Sequence, residues 1–438
     1  MMNAMTKIVP DAKPRSTAVR TRIDQVLDSR FGRLLERVGI APKGGKTART
    51  QSQLIDLAEA LLSIRGKASG ASLASAFFDL YEASAMAERR AFLGEVRARL
   101  PRDAEAIDAA IAGWRTSPDE HTARALHKAA ESRCQKLIRL LNLAPGGTRR
   151  LIHMRADLLA GGKKLDRAEA ALDADFGYVF ASWFNAGFLE LRRIDWESPA
   201  AVLERVIAYE AVHSITSWAD LRSRVAPADR RCYGFFHPQM PDDPLIFVEV
   251  ALTRALPKAI GSILDESREV LDPRKASHAI FYSISNCQLG LKGVPFGNYL
   301  IKQVAELLHR ELPHLATFAT LSPVPGFALW LESDAAQKPV SADALRAAAA
   351  RYLVTARGAQ SGPLDSVARF HLGNGARLEA VHAGADPSPN GLKQSHGVMV
   401  NYVYDLAMIE ANLLSLSELD TVACSKAVTA LVRDTGAK

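Results

Sequence analysis

The sequence predicts an all-α N-terminal region followed by a mixed α/β domain. Up to about residue 180 the apolar residues recur at helical spacing. Beyond about residue 230, short runs rich in β-branched and aromatic residues alternate with helical stretches. Length and composition bound the rest: 438 residues, 48% hydrophobic and 24% charged, suit a globular chain of two or three domains. The expected division is a helical domain over residues 1–178 and a mixed domain over residues 179–438.

The helical part reads as a succession of amphipathic segments. Leu54, Ile55, Ala58, Leu61 and Leu62 share one face, with Gly66 as the expected stop. Leu73, Phe77, Phe78 and Tyr81 form a second face, and a run from Met86 to Leu100 is closed by Pro101. Ser117-Pro118-Asp119-Glu120 predicts a helix start, with serine as cap, proline at the first helical position and Glu120 closing a capping box. Ala125, Ala129, Leu137, Leu140 and Leu141 continue the pattern. Gly146-Gly147 and Gly161-Gly162 interrupt it on either side of Leu151 to Leu159. No His, Cys or carboxylate cluster of catalytic spacing occurs here, and the apolar stripes are wide, so packing or assembly is the expected role. One more helix opens at Ser198-Pro199 and carries Val202, Val206 and Ile207.

In the second part, Arg231 to Phe236 and Leu245 to Thr253 predict a hairpin across a Pro- and Asp-rich connector. A helix is expected from Leu256 to Leu264, then a buried strand from Ala279 to Ser285. A glycine-rich stretch follows, then a helix from about Asn298 to Leu312 ended by Pro313. Leu315 to Leu321 is the next strand, left by the rigid turn Ser322-Pro-Val-Pro-Gly-Phe. A helix over about Ser341 to Thr355 and strands at Val367 to Leu372 and Gly397 to Tyr404 complete the order.

Several function classes are disfavoured. The net charge of +7 suits an anionic partner, but the basic residues are interleaved with acids, and no nucleic-acid-binding run appears. No apolar run approaches the roughly 18 residues of a membrane span. Cys134, Cys232, Cys287 and Cys424 lie far apart, which suggests neither a disulfide framework nor a zinc site and predicts a cytoplasmic protein. His309/His314 and His382/His396 have no ligand spacing of known type, so no metal is expected. The basic first twenty residues read as a disordered terminus without a clear targeting pattern.

Strand, glycine loop and helix form a unit suited to phosphate, because a helix N-terminus presents unpaired N–H groups and glycines let the backbone approach an anion. Gly290, Gly293 and Gly297 are placed for this, with Lys292 and Lys302 adding charge. The loop is neither a Walker A sequence nor a dinucleotide fingerprint. Gln288-Leu-Gly-Leu-Lys-Gly-Val294 is similar to the coenzyme A loop of GNAT-superfamily acyltransferases, in which the next strand splays away and the pantetheine fills the gap.

An ordered set of segments resembles the malonyl-CoA decarboxylase family. It comprises Phe281-Tyr-Ser-Ile-Ser285, Gly290-Leu-Lys-Gly-Val294 with Gly297, Leu321-Ser-Pro-Val-Pro-Gly-Phe327 and Phe370-His-Leu-Gly-Asn-Gly375. Trp183 to Phe188, Val250 to Thr253 and Asn401 to Tyr404 add support, so the likeness covers about residues 180–405. The resemblance implies a GNAT-like catalytic domain with a splayed mixed sheet behind a helical oligomerisation domain, and a homodimer or homotetramer. It implies malonyl-CoA as substrate and acetyl-CoA and CO₂ as products, with no cofactor beyond the coenzyme A of the substrate. It assigns catalysis to Ser322 and His371 and substrate binding to Ser283, Lys292, Gly293, Val294, Pro295, Phe296, Gly297, Asn298 and Tyr404. Pro295 departs from the pattern, since eukaryotic members carry a glutamate there.

Losing CO₂ from a β-carbonyl acid drives an electron pair into the thioester carbonyl. The site must orient the carboxylate, stabilise the oxyanion and protonate carbon. Ser322 is assigned the carboxylate-facing or proton-accepting role, and His371 the proton donor, on the strength of an imidazole pKa of about 6.5. Taken singly, Ser322 before proline would read as a turn initiator and His371 as a strand-face histidine. Rival readings are an acetyltransferase using the same cleft and a non-catalytic acyl-CoA-binding protein.

Overall fold

The computed structural model describes residues 46–160, 164–295, 300–333, 341–358 and 362–434. The chain divides into two compact units, Met1–Val179 and Phe180–Lys438. The N-terminal segment, and Phe296, Gly297 and Asn298 of the expected binding loop, lie outside the described residues.

The first unit is helical: α1 (Lys46–Leu62), α2 (Ile64–Ala83), α3 (Met86–Arg99), α4 (Ala104–Thr116), α5 (Glu120–Ala130), α6 (Arg133–Leu141), α7 (Gly147–Leu159) and most of α8 (Arg167–Trp183). Its core holds Leu54, Leu61, Phe77, Phe78, Phe92 and Phe176, each burial worth about 1.5–3 kcal/mol. Asp175 gathers three donors: it pairs with Arg97 and accepts from Ser132 Oγ (2.8 Å) and Gln135 Nε2 (2.9 Å).

Two expected boundaries move. Gly66 does not stop a helix, because α1 ends at Leu62 and α2 runs through it, kinked at Ser69. The start at residues 117–120 is set by Asp119 rather than Ser117. The Asp119 carboxylate accepts from Thr122 N (2.8 Å), and Thr122 Oγ1 accepts from Asp119 N (3.1 Å). Aspartate caps as well as serine, and this later start leaves Pro118 outside the helix.

The second unit is built on one eight-stranded mixed sheet. Its elements are β1 (Glu190–Ile194), α9 (Ala200–Tyr209), α10 (Trp218–Val225), β2 (Arg230–Phe236), β3 (Ile246–Thr253), α11 (Gly261–Leu264), β4 (His278–Asn286), α12 (Leu300–Glu311), β5 (Thr317–Thr320), β6 (Ser322–Pro323), α13 (Phe327–Ser333), α14 (Ala342–Thr355), α15 (Ser366–Leu372), β7 (Arg377–His382), α16 (Pro389–Ser395), β8 (Met399–Tyr404), α17 (Ile409–Leu419) and α18 (Lys426–Asp434). The strand order is β1-β2-β3-β4-β5-β8-β6, with β7 pairing β8. β4 and β5 are parallel, and the other pairs are antiparallel. One core cluster packs α9 and α10 residues (Val202, Val206, Leu221, Val225) against Cys232, Phe236 and Phe247. A second joins Ile260 and Ile263 to Ile280, Tyr282, Ala319, Leu321 and Met399.

Two expectations are corrected here. The run Leu256–Leu264 is α-helical only over Gly261–Leu264. Val367–Leu372, expected as a strand, belongs to helix α15. The alternation of His371 with apolar Phe370 and Leu372 suggested a strand. The burial of Ala368, His371 and Leu372 follows helical spacing instead, and Asp365 caps the start by accepting from Val367 N and Ala368 N.

The site is opened by a parting of strands. β4 pairs with β5 only over His278–Phe281 against Thr317–Thr320. After a last contact from Leu321 N to Phe281 O (3.1 Å), the chain leaves β4, and Ser322-Pro323 pairs with Val400 and Met399 of β8. A bulge between β3 and β4 at the same level takes Tyr282 out of register, since Glu249 faces Ser283 and Val250 faces Phe281.

Candidate active site

The parted strands enclose a cavity of about 350 Å³. Tyr282, Ser283, Ile284 and Asn286 of β4 form one wall, and Ser322, Pro323, Val367, Phe370 and His371 another. Ser322 sits where proline ends the strand, which fixes the backbone and turns the hydroxyl to the gap. His371 comes from α15, the helix that Asp365 caps.

Ser322 Oγ lies 3.1 Å from His371 Nε2 and donates to Thr320 Oγ1 (2.8 Å). His371 Nδ1 is 2.8 Å from the Tyr404 hydroxyl, and its ring stacks on Tyr402, 4.7 Å between centroids at 27°. These contacts set the tautomer. Tyr404 has no other hydrogen-bond partner among the described residues, so its buried hydroxyl donates to Nδ1. Nε2 then carries the proton and donates to Ser322 Oγ, whose own hydrogen goes to Thr320. The chain Tyr404 to His371 to Ser322 runs in one direction and leaves no hydroxyl hydrogen idle.

Burial pushes the His371 pKa down to about 3. The imidazole is therefore neutral at physiological pH, which corrects the sequence argument that its value near 6.5 suits proton exchange. Removing a side chain from water disfavours its charged form, and no carboxylate faces this ring to compensate among the causes that act on it. The same burial holds the Tyr404 phenol well above its ordinary value, so it too stays protonated.

Ser283 is on the β4 wall and is partnered by a residue that the sequence reading did not single out. Its Oγ donates to both carboxylate oxygens of Glu210, at 2.8 Å each. Glu210 ends α9, where a carboxylate opposes the helix dipole. That local misfit is the signal that could have found it: a residue poorly suited to its helix position often has another task.

The loop after β4 contains the other expected binding residues. Gly293 takes φ +80, a conformation that favours glycine, while Lys292 and Pro295 are exposed and Val294 is buried. The amides of Leu291, Lys292 and Val294 donate to carbonyls within the loop. Among the described residues, no group of three or more His, Cys, Asp or Glu side chains could hold a metal ion. Nor is any described helix long and apolar enough to cross a membrane.

A helical unit followed by a mixed sheet that parts around a hydroxyl–imidazole pair defines a two-part protein whose second part is an α/β domain with a cavity at the strand parting. Comparison with known proteins narrows that class. The model of the malonyl-CoA decarboxylase C-terminal domain matches residues 187–344 and 333–438, and that of the N-terminal domain matches residues 101–184. The chain belongs to the malonyl-CoA decarboxylase family. It is 34% identical over 358 residues to the mitochondrial malonyl-CoA decarboxylase of Rattus norvegicus, covering 70% of this chain and 72% of that one. Against the enzyme of the same name from Anser anser anser it is 35% identical over 330 residues, 64% of this chain and 65% of that one. The solved malonyl-CoA decarboxylase from Agrobacterium vitis superposes with a TM-score of 0.82 at 48% identity, covering 86% of this chain and 99% of that one. The solved structure from Rhodopseudomonas palustris gives 0.80 at 46%, covering 87% and 99%.

Proposed function

We propose that this chain converts malonyl-CoA to acetyl-CoA and CO₂ in the cavity between β4 and β6, with Ser322 and His371 as its proton-delivering pair. Family membership supports the reaction. The observation that carries the site is the 3.1 Å contact between Ser322 Oγ and His371 Nε2 on the wall of a cavity at the strand parting.

The Cα–carboxylate bond breaks and its electron pair enters the thioester as an enolate. A thioester enolate carbon is far more basic than an alkoxide, so a neutral hydroxyl can protonate it. Ser322 turns its hydrogen from Thr320 to carbon and takes the Nε2 hydrogen of His371, which takes the Tyr404 hydrogen at Nδ1 and leaves a transient phenolate. Solvent restores the proton after product leaves. One proton enters for each CO₂ released. A fixed donor at the developing oxyanion contributes about 3–4 kcal/mol to barrier lowering. The reading calls on no cofactor beyond the coenzyme A of the substrate.

Lys292 to Asn298 are proposed to hold the coenzyme A phosphates, on the strength of the left-handed Gly293 and the exposed Lys292 after β4. Assembly into a homodimer or homotetramer through the helical unit is part of the same reading and is read out by light scattering of the whole chain. A cytoplasmic location is proposed too, in keeping with free and mostly buried cysteines.

The test is turnover of malonyl-CoA in D₂O by the wild type, Ser322→Ala and His371→Ala, each first shown to be folded. Equal yields of CO₂ and singly deuterated acetyl-CoA, with turnover lost in both variants, are expected. Undiminished turnover in both variants would overturn the site.

A further inference from the structure

Glu210 is a buried carboxylate that the proton relay does not use, and every group bonded to it is a donor. Its Oε1 accepts from the amides of Val212 (2.9 Å) and His213 (2.8 Å), and Ser283 Oγ is 2.8 Å from each carboxylate oxygen. Ser285 Oγ donates to Oε2 at 3.1 Å. Both serine hydrogens are therefore committed to the carboxylate, and the 3.5 Å approach of Ser283 to Ser285 has no hydrogen left to share. Ser283, a lining residue of the cavity, therefore has only lone pairs left to offer.

We propose that Glu210 is a positioning residue that fixes Ser283 as a hydrogen-bond acceptor on the β4 wall. The group it receives is the cysteamine amide N–H of the thioester substrate. The inference rests on the decarboxylase reading of the cavity. Near its reactive end a malonyl thioester of coenzyme A has one hydrogen-bond donor, the amide N–H two carbons from sulfur. Its carboxylate and thioester carbonyl are acceptors. A hydroxyl acceptor backed by a carboxylate repels both and attracts the amide. The acyl oxygens are thereby left to the opposite wall, which holds Ser322 and His371. Glu210 sorts the two ends of the substrate through Ser283 without touching either.

The test compares malonyl-CoA, malonyl-N-acetylcysteamine and the analogue in which an ester oxygen replaces the amide N–H. Wild type should favour the amide over the ester by about tenfold in kcat/KM, the worth of one net hydrogen bond. Ser283→Ala should remove the preference. In Glu210→Gln the side-chain oxygen still accepts from Val212 and His213, while the new NH₂ donates to Ser283 and frees the serine hydrogen for the cavity. The ester should then react as well as the amide.

A purely structural role for Glu210 would lower both substrates alike and keep the preference, which overturns the inference. So would a wild type that turns over malonyl-CoA but does not distinguish amide from ester. Should Glu210→Gln fail to fold, Ser283→Ala decides alone, and a retained preference counts against the proposal. A wild type inert to malonyl-CoA would remove the decarboxylase reading and this inference together.

Discussion

Ser322 Oγ and His371 Nε2 stand 3.1 Å apart although they lie 49 positions apart in the chain. If they act as one relay, their substitutions are not additive. Ser322→Ala and His371→Ala should each reduce kcat about 10²–10⁴-fold, the usual span for a positioned acid or base. The double variant should be little worse than either single one. Single-turnover rates of the three variants give the answer, and additive losses would mean the groups act separately.

Tyr404 sets the polarity of the proposed relay from behind. Tyr404→Phe removes the hydroxyl that donates to His371 Nδ1 (2.8 Å) and lets the imidazole adopt the other tautomer. The expected result is a fall of about tenfold or more in kcat with KM nearly unchanged, since this hydroxyl is not among the groups lining the cavity. Stability should drop by about 1–3 kcal/mol because Nδ1 is left buried without its partner. Steady-state kinetics and urea melts measure both.

The pH dependence follows from the His371 pKa of about 3, below the ordinary value for a free histidine. The unfolded chain binds this proton more readily than the folded one. The stability that goes with the neutral ring is fully present above about pH 6.5 and is lost as pH falls from there toward 3. His213, lowered to about 4 by burial, acts in the same direction. Denaturation midpoints should therefore fall from pH 7 to pH 5, less steeply in His371→Asn. The kcat/KM profile should show no inflection near 6.5 that disappears in that variant.

Asp365 ties the two halves of the site together. Its Oδ1 caps α15 through Val367 N and Ala368 N, and its Oδ2 accepts from Gly326 N (3.0 Å) in the turn that follows Ser322. Asp365→Asn keeps the cap but sets an NH₂ against the Gly326 amide. It should separate Ser322 from His371 and reduce kcat more than an equally destabilising change in the helical unit. Gly326→Ala attacks the same joint, since a Cβ there would run into the Tyr352 hydroxyl. A crystal structure of Asp365→Asn with the 3.1 Å contact unchanged would contradict the clamp.

The elements whose neighbours in sequence are also their partners in space were legible beforehand. The hairpin of β2 and β3, and the amphipathic α12 with Leu300, Ile301, Val304 and Leu308 buried, follow from local pattern. The order of motifs from Phe281 to Tyr404 pointed to the family. The short segments were not legible in the same way. Residues 366–372 are seven long, and over two turns a helix and a strand offer nearly the same alternation.

Sequence alone determined which side chains are proposed to carry the chemistry, because a serine before Pro323 and a histidine before Leu372 are properties of residue order. Only the tertiary structure decided their state. The imidazole is neutral because packing removes it from water. Its tautomer is set by a tyrosine 33 positions away. The Ser283 hydroxyl is turned into an acceptor by a carboxylate 73 positions earlier. Proton positions and pKa values are set by the local dielectric and by distances across the fold, and no spacing along the chain encodes them.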